Sequence, residues 1–358
     1  MKIIVGMSGG VDSAVTAALL KRQGHEVIGV TMGIWDDAGR YKGGGGSGCF
    51  GPAQKQCIAQ ARAIADIIGI AYCDFDCSKL YASRVVEYFR GEYLAGRTPN
   101  PCIVCNSVVK FGLLPQLARE NGIDFDKFAT GHYARLKVGG DGRMQLWRAK
   151  ELARDQSYFL CRLSQEQLSR HLFPLGGYCK SEVRQLAREF LLPVSEKHDS
   201  QDFYTGELEE LLAQPESVGD IVDDETGQVL GHHTGCWKYT IGQRRGLGVA
   251  AKQPLYVVAI DACRNQIRLG KAAAVRHHRL LADNFNWVSI AAPQSSFDAQ
   301  VKARSVQQPV PCRCIPTADG AWRIEFPDGI SGIAPGQAAV LYDGDMLLGG
   351  GTIQSAAP

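Results

Sequence analysis

The sequence carries almost no net charge and lacks an apolar run long enough to cross a membrane. Its 358 residues include 39 Lys and Arg against 37 Asp and Glu, so the formal net charge is +2 at pH 7. A chain this close to neutral cannot bind nucleic acid through a uniformly basic surface, and any such contact must come from local patches. The first residues have the composition of a strand rather than of a signal peptide. We therefore expect a cytoplasmic protein that makes no contact with a membrane.

Several motifs are missing as well. There is no Gly-Lys-Ser/Thr of a Walker loop, no second Cys-x-x-Cys to complete a four-cysteine zinc site, and no internal repeat. Nor does any segment look like the nucleophile of a glutaminase. Hydrophobic residues make up 45% of the chain and charged residues 21%, which is typical of globular domains. The length predicts two or three domains, each with a core of its own.

The first feature that points to chemistry is the segment Ser8-Gly9-Gly10-Val11-Asp12-Ser13. It follows the apolar run 3–7 and precedes the helical pattern 14–20, an order that predicts strand, loop and helix. The glycines allow consecutive backbone N–H groups to point at one anion, and the N-terminus of the helix adds partial positive charge. A plain structural turn could contain the same glycines. The whole hexapeptide directly after an N-terminal strand nevertheless indicates a phosphate cradle.

Strands and helices alternate over the first two hundred residues. Such alternation predicts an α/β fold, with a Rossmann-like parallel sheet and helices on both faces, over residues 1–207. Ligands bind at the carboxyl ends of such strands, where Met32 and Gly131 fall, so we expect both residues to border a nucleotide. Residues 36–48, which end in a glycine-rich run, are either a linker or a mobile flap beside the site. We predict strands at 26–32, 71–75 and 126–130, and helices at 57–68, 79–94 and 180–191.

Cys102 and Cys105 form a Cys-x-x-Cys pair at the predicted start of a helix, behind the extended segment 98–101 with its two prolines. A helix N-terminus lowers the pKa of a thiol, which would favour thiolate for nucleophilic attack or metal ligation. The same pair could instead be two buried structural cysteines. The other cysteines among the twelve are dispersed, which disfavours structural zinc.

From residue 208 onward the pattern changes to short β-strands separated by turns. Lys238, Arg244 and Arg245 form a basic patch around Tyr239, which by itself is better explained as a solvated surface than as an RNA site. We predict a small β-rich central domain over 208–278, with strands at 219–222, 237–241, 255–260 and 266–270. We predict a C-terminal β-barrel over 279–358, with strands at 287–290, 297–304, 322–326 and 338–342.

Motifs spread over the whole chain resemble one family. The loop at 8–13 resembles the pyrophosphate loop (PP-loop) of the ATP pyrophosphatase superfamily, whose members cleave ATP between the α and β phosphates and adenylate an oxygen of the substrate. Within that superfamily the chain resembles the bacterial tRNA-specific 2-thiouridylase (MnmA) family, which replaces O2 of the wobble uridine of certain tRNAs by sulfur, using ATP. The resemblance is carried by 8–13, 95–101, 105–106, 110–111, 130–133, 155–160, 239–248 and 334–337.

The resemblance implies roles for particular residues. Asp12, Cys102 and Cys105 would be catalytic, with Asp12 acting on Mg²⁺ or phosphate, and a sulfur-donor protein or sulfide would be the second partner beside tRNA. ATP would be bound by Gly6, Met7, Ser8, Gly9, Gly10, Val11, Asp12, Ser13, Met32 and Gly131. The anticodon arm of tRNA would be contacted by Asn100, Pro101, Cys102, His132, Arg154, Asp155 and Gln156, and RNA further away by Arg304, Ser305 and Gln337.

One departure from the family concerns the sulfur step. The family carries a second catalytic cysteine in a segment like Asp-Ser-x-x-x-Cys-Phe, and here Tyr204 stands in that place. In one route that fits, a persulfide forms on Cys102 or Cys105 and the other cysteine resolves it as a disulfide. In the second route, which we favour slightly, Cys102, Cys105 and a third ligand, Cys49, hold a [4Fe-4S] cluster that binds the incoming sulfur.

Two other functions fit parts of the sequence. A non-catalytic tRNA-binding paralogue would explain the missing cysteine, but it would need neither the intact loop at 8–13 nor Cys105. A PP-loop ligase or amidotransferase acting on another acceptor would explain the loop, but not the tRNA-type motifs in both β-rich domains. The sequence therefore predicts an ATP-dependent tRNA sulfurtransferase.

Overall fold

A parallel sheet forms the centre of the N-terminal domain in the computed structural model, which describes residues 1–35, 41–44, 48–195, 203–204 and 206–357. The strands of this domain are β1 (Lys2–Gly6), β2 (Glu26–Gly33), β3 (Ala71–Asp76), β4 (Lys127–Thr130), β5 (Ala134–Val138), β6 (Met144–Arg148) and β7 (His171–Leu172). Five of them pair in the order β3-β2-β1-β4-β7, all parallel. The Rossmann-like α/β fold is confirmed, with Met32 near the end of β2 and Gly131 directly after β4.

Helices cover both faces of this sheet because the central strand β1 is apolar on both faces. Ile3 and Val5 face one core, and Ile4 between them faces another; all three are fully buried. Turns of π-helix at Ala82–Val86 and Cys105–Leu113 join the third helix to the fourth and the fifth to the sixth. The α-helices among the described residues are α1 (Val11–Arg22), α2 (Gln54–Ile68), α3 (Ser78–Tyr81), α4 (Glu87–Leu94), α5 (Pro101–Val104), α6 (Leu114–Glu120), α7 (Gln165–Ser169), α8 (Lys180–Glu189) and α9 (Leu208–Leu212).

We expected no apolar run of membrane-spanning length, but one continuous helix, Pro101–Glu120, is long and apolar enough to span a membrane by length and composition alone. Its most apolar stretch has a mean hydropathy of 1.3, and 44% of that stretch is buried inside the protein. Ile103, Phe111 and Leu114 on this helix pack into the core that also contains Ile4 of β1. Helices that pack in the core of a folded domain often have the same length and apolar composition. The packing of Pro101–Glu120 into this core accounts for its apolar residues.

The central β-rich domain contains a four-stranded sheet and one correction to the sequence-based prediction. Its strands are β8 (Gly219–Asp223), β9 (Val229–His233), β10 (Tyr256–Asp261) and β11 (Gln266–Gly270), in the order β10-β11-β8-β9. The strand predicted at 237–241 is wrong, because Cys236–Lys238 form a turn of 3-10 helix. Cys236 and Trp237 are both buried, and two consecutive side chains of a strand would point to opposite faces.

The C-terminal domain is a closed antiparallel barrel of six strands, as predicted. The strands are β12 (Arg276–Trp287), β13 (Phe297–Lys302), β14 (Val310–Pro316), β15 (Trp322–Ser331), β16 (Ala338–Asp343) and β17 (Met346–Ala357), and pairing of β12 with β17 closes the barrel. The β5-β6 hairpin of the N-terminal domain adds to this sheet through β17. The strand predicted at 287–290 is wrong, because β12 ends at Trp287, and the predicted barrel start at residue 279 falls inside β12.

Hydrogen bonds from the barrel hold the segment that leads into the helix Pro101–Glu120. The backbone N–H of Thr98 donates to the carbonyl of Pro335 at 2.8 Å. Nε2 of Gln337 donates to the carbonyls of Thr98 and Pro99, both at 3.1 Å. Gly336 lies between these contacts with φ +90, and a Cβ there would lie 2.9 Å from the carbonyl oxygen of Thr98. We call residues 334–337 the barrel clamp.

We expect Gly336→Ala to destabilise the contact between the domains. A non-glycine residue at positive φ costs about 1–2 kcal/mol, and the clash with Thr98 adds about 1–3 kcal/mol. The matched control is Gly344→Ala, which also has a positive φ, +56, but no atom within 4 Å of the added Cβ. Chemical denaturation should show a clearly larger loss of stability for Gly336→Ala, and equal losses for the two variants would contradict the role of the clamp.

Candidate active site

The loop at 8–13 has the backbone geometry of an anion site. Ser13 Oγ accepts the backbone N–H of Ser8 at 3.2 Å and donates to the carbonyl of Gly10 at 3.1 Å, which closes the loop on itself. Gly9 has φ +71, and a Cβ there would lie 2.6 Å from the carbonyl oxygen of Cys57. Gly10 then caps α1, whose N-terminus carries partial positive charge toward the loop. Gly6 ends β1 and Met7 and Val11 are buried, so these residues hold the loop in place rather than face solvent.

Asp12 is held by two side chains from distant parts of the N-terminal domain. Nζ of Lys180, the first residue of α8, lies 2.9 Å from both carboxylate oxygens of Asp12. The hydroxyl of Tyr133 donates to Oδ1 of Asp12 at 2.8 Å. The carboxylate predicted to act on Mg²⁺ or phosphate is therefore already neutralised and oriented inside the loop.

Gly131 brings the end of β4 against the loop. A Cβ at Gly131 would lie 2.8 Å from the carbonyl carbon of Asp12 and 2.9 Å from the backbone nitrogen of Ser13. Met32 lies at the same edge of the sheet, and its carbonyl faces Nε2 of Gln54 at 3.5 Å. The two residues predicted to border a nucleotide thus lie at the carboxyl ends of strands flanking β1.

The predicted thiol pair lies on the first turns of the helix Pro101–Glu120. Asn100 caps this helix, since its Oδ1 accepts the backbone N–H of Ile103 at 3.4 Å, and Pro101 occupies the first turn. Cys102 and Cys105 are three residues apart on a helix, which places both thiols on one face. Cys102 is exposed and Cys105 is half-buried.

The pKa of both thiols is raised, against the expectation from the helix N-terminus. Loss of water raises the pKa of Cys102 to about 11, with Cys49 adding to the rise and Lys110 opposing it. Burial raises the pKa of Cys105 to about 12, and the Lys110 ammonium again opposes the rise. Desolvation therefore outweighs the helix dipole here, and both groups are protonated thiols at neutral pH.

Cys49 belongs to the same neighbourhood. Its thiol interacts electrostatically with Cys102, Cys105 and the buried hydroxyl of Tyr81. The adjacent Phe50 stacks on Tyr81 with ring centroids 5.2 Å apart. Within the part of the chain that the structure describes, however, no three His, Cys, Asp or Glu side chains are close enough together to hold one metal ion. The donors predicted for a [4Fe-4S] cluster are gathered in one region, but not at ligating distances.

His132 and Lys110 connect the thiol pair to the loop. The ring of His132 lies 5.5 Å from that of Phe111, on the helix that carries both cysteines, and its Nδ1 lies 2.8 Å from Oγ1 of Thr130. Burial, assisted by the Lys110 ammonium, lowers the pKa of His132 well below its usual range, so the ring is neutral at physiological pH. Since His132 directly follows Gly131, the two halves of the predicted site adjoin each other.

The segment 154–156, predicted to contact tRNA, divides into one exposed and two internal side chains. Arg154 is exposed on a turn of 3-10 helix. The carboxylate of Asp155 is almost fully buried and accepts hydrogen bonds from Ser157 and from the backbone of Ala149. Oε1 of Gln156 accepts the backbone N–H of Tyr133 at 2.9 Å. Asp155 and Gln156 thus support the site from inside, and Arg154 is the member whose side chain reaches the surface.

Two of the three barrel residues predicted to contact RNA are also engaged in domain contacts. Arg304 donates through Nη2 to the carbonyl of Ile241 in the central domain at 2.9 Å, and through Nε to the carbonyl of Gly332. Gln337 belongs to the barrel clamp. Ser305 is half-buried in the turn after β13. Roles of these residues in RNA binding stay predictions.

Comparison with known proteins assigns the family. Residues 1–204 match the family model described as the tRNA methyl transferase HUP domain, 208–271 the tRNA methyl transferase PRC-barrel domain, and 277–353 the aminomethyltransferase beta-barrel domain. The tRNA-specific 2-thiouridylase MnmA of Endomicrobium trichonymphae is 45% identical over 99% of this chain and 99% of its own length. That of Geobacter metallireducens is 45% identical over 99% of this chain and 97% of its own length.

The chain belongs to the MnmA family. Among solved structures, the NMN synthetase of Francisella tularensis is similar with a TM-score of 0.35 and 14% identity, covering 58% of this chain and 70% of that chain. The resemblance read from the sequence motifs is confirmed by the similarity of the two 2-thiouridylases along the whole chain.

Tyr204, which departs from the MnmA pattern, has a structural role. It lies opposite Phe50 in a β-bridge, and its hydroxyl donates to Oε2 of Glu210. Glu210 also accepts the backbone N–H groups of Lys42 at 3.0 Å and Gly43 at 3.2 Å. Tyr204 and Glu210 thus anchor residues 41–44 of the predicted flap, whose residues 36–40 and 45–47 lie outside the described part of the chain.

Sequence reasoning missed the role of Lys180. Its position at the start of a helix carries no sequence signal for a contact with Asp12, 168 residues away. Tyr133 and Lys110 lie in motifs that carried the family resemblance, but neither residue was assigned a role from the sequence. Their contacts with Asp12 and with the thiols become visible only in the folded chain.

We expect Gly131→Ala to weaken ATP binding by about 10-fold, because the added Cβ would displace the loop at Asp12 and Ser13 by a few tenths of an ångström or more. The control is Gly140→Ala in the turn after β5, where an added Cβ has no atom within 4 Å. Isothermal titration with ATP measures both variants. Wild-type affinity in Gly131→Ala would show that the loop does not bind the nucleotide.

The raised thiol pKa predicts slow alkylation of Cys102. A thiol with a pKa of about 11 rather than 9 is deprotonated about 100-fold less at pH 8, so its reaction with iodoacetamide should keep accelerating up to about pH 11. Peptide mapping by mass spectrometry measures the alkylation rate of Cys102 and compares it with that of the exposed Cys263 in the same sample. A rate that already levels off near pH 8 would contradict the raised pKa.

Proposed function

We propose that this chain replaces O2 of the wobble uridine of tRNA by sulfur, using ATP to activate that oxygen. The observation that supports the proposal is that the phosphate loop and the helix with the thiol pair meet at one edge of the sheet. The phosphate loop at 8–13 adjoins Gly131, and the next residue, His132, lies against Phe111 and Lys110 of the helix that carries the thiol pair. Relatives that match nearly the whole chain are named tRNA-specific 2-thiouridylases, and we propose that this chain acts on tRNA in the cytoplasm.

The first step is adenylation of the uridine. The backbone N–H groups of 8–13 and the N-terminus of α1 hold the phosphates, and O2 of uridine attacks the α-phosphorus. The bond between the α and β phosphates breaks, and pyrophosphate leaves with the electron pair. Mg²⁺ is usually held in such sites by one or two carboxylates together with phosphate oxygens, so Asp12 is the residue that would hold it. When bound, Mg²⁺ would neutralise phosphate charge.

The second step brings sulfur to C2, which adenylation makes electrophilic. We propose the thiol-pair route, in which the thiolate of Cys102 or Cys105 attacks the outer sulfur of a persulfide on a donor protein. The donor's own sulfur leaves as a thiolate, and the attacking cysteine becomes the persulfide. The terminal sulfur attacks C2 and AMP departs with the C–O electron pair. The partner thiol then loses its proton and attacks the inner sulfur, which forms a Cys102–Cys105 disulfide and releases 2-thiouridine. An external thiol reductant restores the pair.

The thiol-pair route is preferred over the [4Fe-4S] route because of the spacing of the donors. In the described ranges, Cys49, Cys102 and Cys105 share a region without forming a set at metal-binding distance, and a cluster is held by cysteine thiolates bonded directly to iron. We therefore derive no step through a cluster. Lys110, whose ammonium opposes the rise in pKa of both Cys102 and Cys105, is the residue placed to favour their thiolates.

Contact with tRNA must be local because the whole chain is nearly neutral. Asn100, Pro101 and Cys102 precede and begin the catalytic helix and are proposed to meet the target base, with His132 beside them. Arg154 is proposed to contact the phosphate backbone of the anticodon arm, since its side chain reaches the surface.

The proposal predicts that Cys105→Ala separates the two steps. With tRNA, γ-labelled ATP and a persulfide donor, the variant should still release labelled pyrophosphate, because adenylation does not use this thiol. It should form at least about 100-fold less 2-thiouridine than the wild type, since loss of one member of a catalytic pair removes most of the activity. Digested tRNA is analysed by mass spectrometry, and Cys263→Ala is the control at an exposed cysteine of the central domain.

The same assay distinguishes the competing functions. A tRNA-binding paralogue would release no pyrophosphate, and a ligase acting on another acceptor would release pyrophosphate without dependence on tRNA. Normal thiolation by Cys105→Ala would contradict the thiol-pair route. Iron and acid-labile sulfide in anaerobically purified protein, together with activity that depends on them, would favour the cluster instead.

A further inference from the structure

The phosphate loop has no cation of its own. Residues 6–13 contain neither Lys nor Arg, and their one charged residue is the acidic Asp12. Backbone N–H groups and a helix N-terminus supply partial charges only, equivalent to about half an elementary charge. Pyrophosphate is a highly charged leaving group, so a full positive charge on a side chain beside the loop would stabilise its release from ATP in addition to Mg²⁺.

Lys180 brings such a charge to the loop from α8. Its side chain is 8% exposed, and Nζ lies 2.9 Å from each carboxylate oxygen of Asp12. The backbone N–H of Lys180 donates to Oε2 of Glu151 at 2.6 Å, which fixes the start of the helix. Nζ also lies 5.9 Å from the centroid of the Tyr133 ring, whose hydroxyl binds the same carboxylate. A long flexible side chain is thus packed into one position against the phosphate loop.

We propose that Lys180 is the phosphate-binding cation of this site, and that it contacts the β and γ phosphates of ATP and then the departing pyrophosphate. The inference rests on the proposed function. An ammonium group carries three rotatable N–H donors. It can therefore exchange one carboxylate contact for a phosphate oxygen by a small movement of the side chain, while α8 stays in place. Asp12 holds the ammonium at the loop until the nucleotide arrives.

The alternative is that Lys180 only neutralises Asp12. The two roles predict different behaviour when both charges are removed together. If Lys180 serves Asp12 alone, replacing Asp12 as well should restore anion binding to the variant that lacks Lys180. If Lys180 binds phosphate, the double variant should stay as weak as the single one.

The test measures binding of inorganic pyrophosphate by isothermal titration in EDTA, so that no divalent metal takes part. We expect Lys180→Met to raise the Kd at least about 10-fold, with the same loss in Asp12→Asn/Lys180→Met, and Lys180→Arg to keep part of the affinity. The matched control is Lys150→Met, which removes an exposed lysine that pairs with Glu182 of the same helix at 3.2 Å and should bind as the wild type. A rise in the KM for ATP with an unchanged KM for tRNA should accompany the loss.

Two results would overturn the inference. Wild-type affinity for pyrophosphate in Lys180→Met, or recovery of that affinity in the double variant, would leave Lys180 a purely neutralising role. Because Lys180→Met leaves a partly buried carboxylate without its ammonium, folding is checked by circular dichroism, and the double variant decides if the single one is unfolded. A wild type that binds neither ATP nor pyrophosphate would overturn the proposed function as well.

Discussion

The carboxylate of Asp12 is the point on which the site depends. It accepts hydrogen bonds from Lys180 at the start of α8 and from Tyr133 just beyond β4, while its own backbone belongs to the loop after β1. Three segments distant in sequence are thereby fixed around one anion site. Because charge-assisted hydrogen bonds of this kind are strong when partly shielded from water, they orient the loop before any nucleotide binds.

The helix Pro101–Glu120, which carries the thiol pair, is held from the other side by the barrel. Thr98 and Pro99, just before the helix cap at Asn100, are bonded to Pro335 and Gln337 of the barrel clamp. The segment proposed to meet the target base is therefore positioned by a domain that lies at the other end of the sequence. The family motif at 334–337 coincides with these contacts between the barrel and the segment before the helix.

The parts of this account that sequence could predict are those with local signals. The loop at 8–13 lies between an apolar strand and an alanine-rich helix, so strand, turn and helix could each be recognised within a few residues. The contact of Lys180 with Asp12 and the closure of the barrel by β12 and β17 join distant segments, and no local pattern encodes them. The pKa of Cys105 was predicted with the wrong sign because burial by residues from other segments outweighs the helix dipole. The turn at Trp237 was mistaken for a strand because composition alone does not reveal which consecutive side chains are buried.

The most direct test of the central claim is the chemical state of the wobble uridine in cells. Total tRNA from a strain lacking this gene is digested and analysed by mass spectrometry beside the parent strain and a strain carrying the gene on a plasmid. The account predicts that 2-thiouridine derivatives at the wobble position disappear in the deletion strain, are replaced by their oxygen counterparts, and return with the plasmid. Unchanged wobble thiolation in the deletion strain, with no second gene able to supply it, would contradict the account.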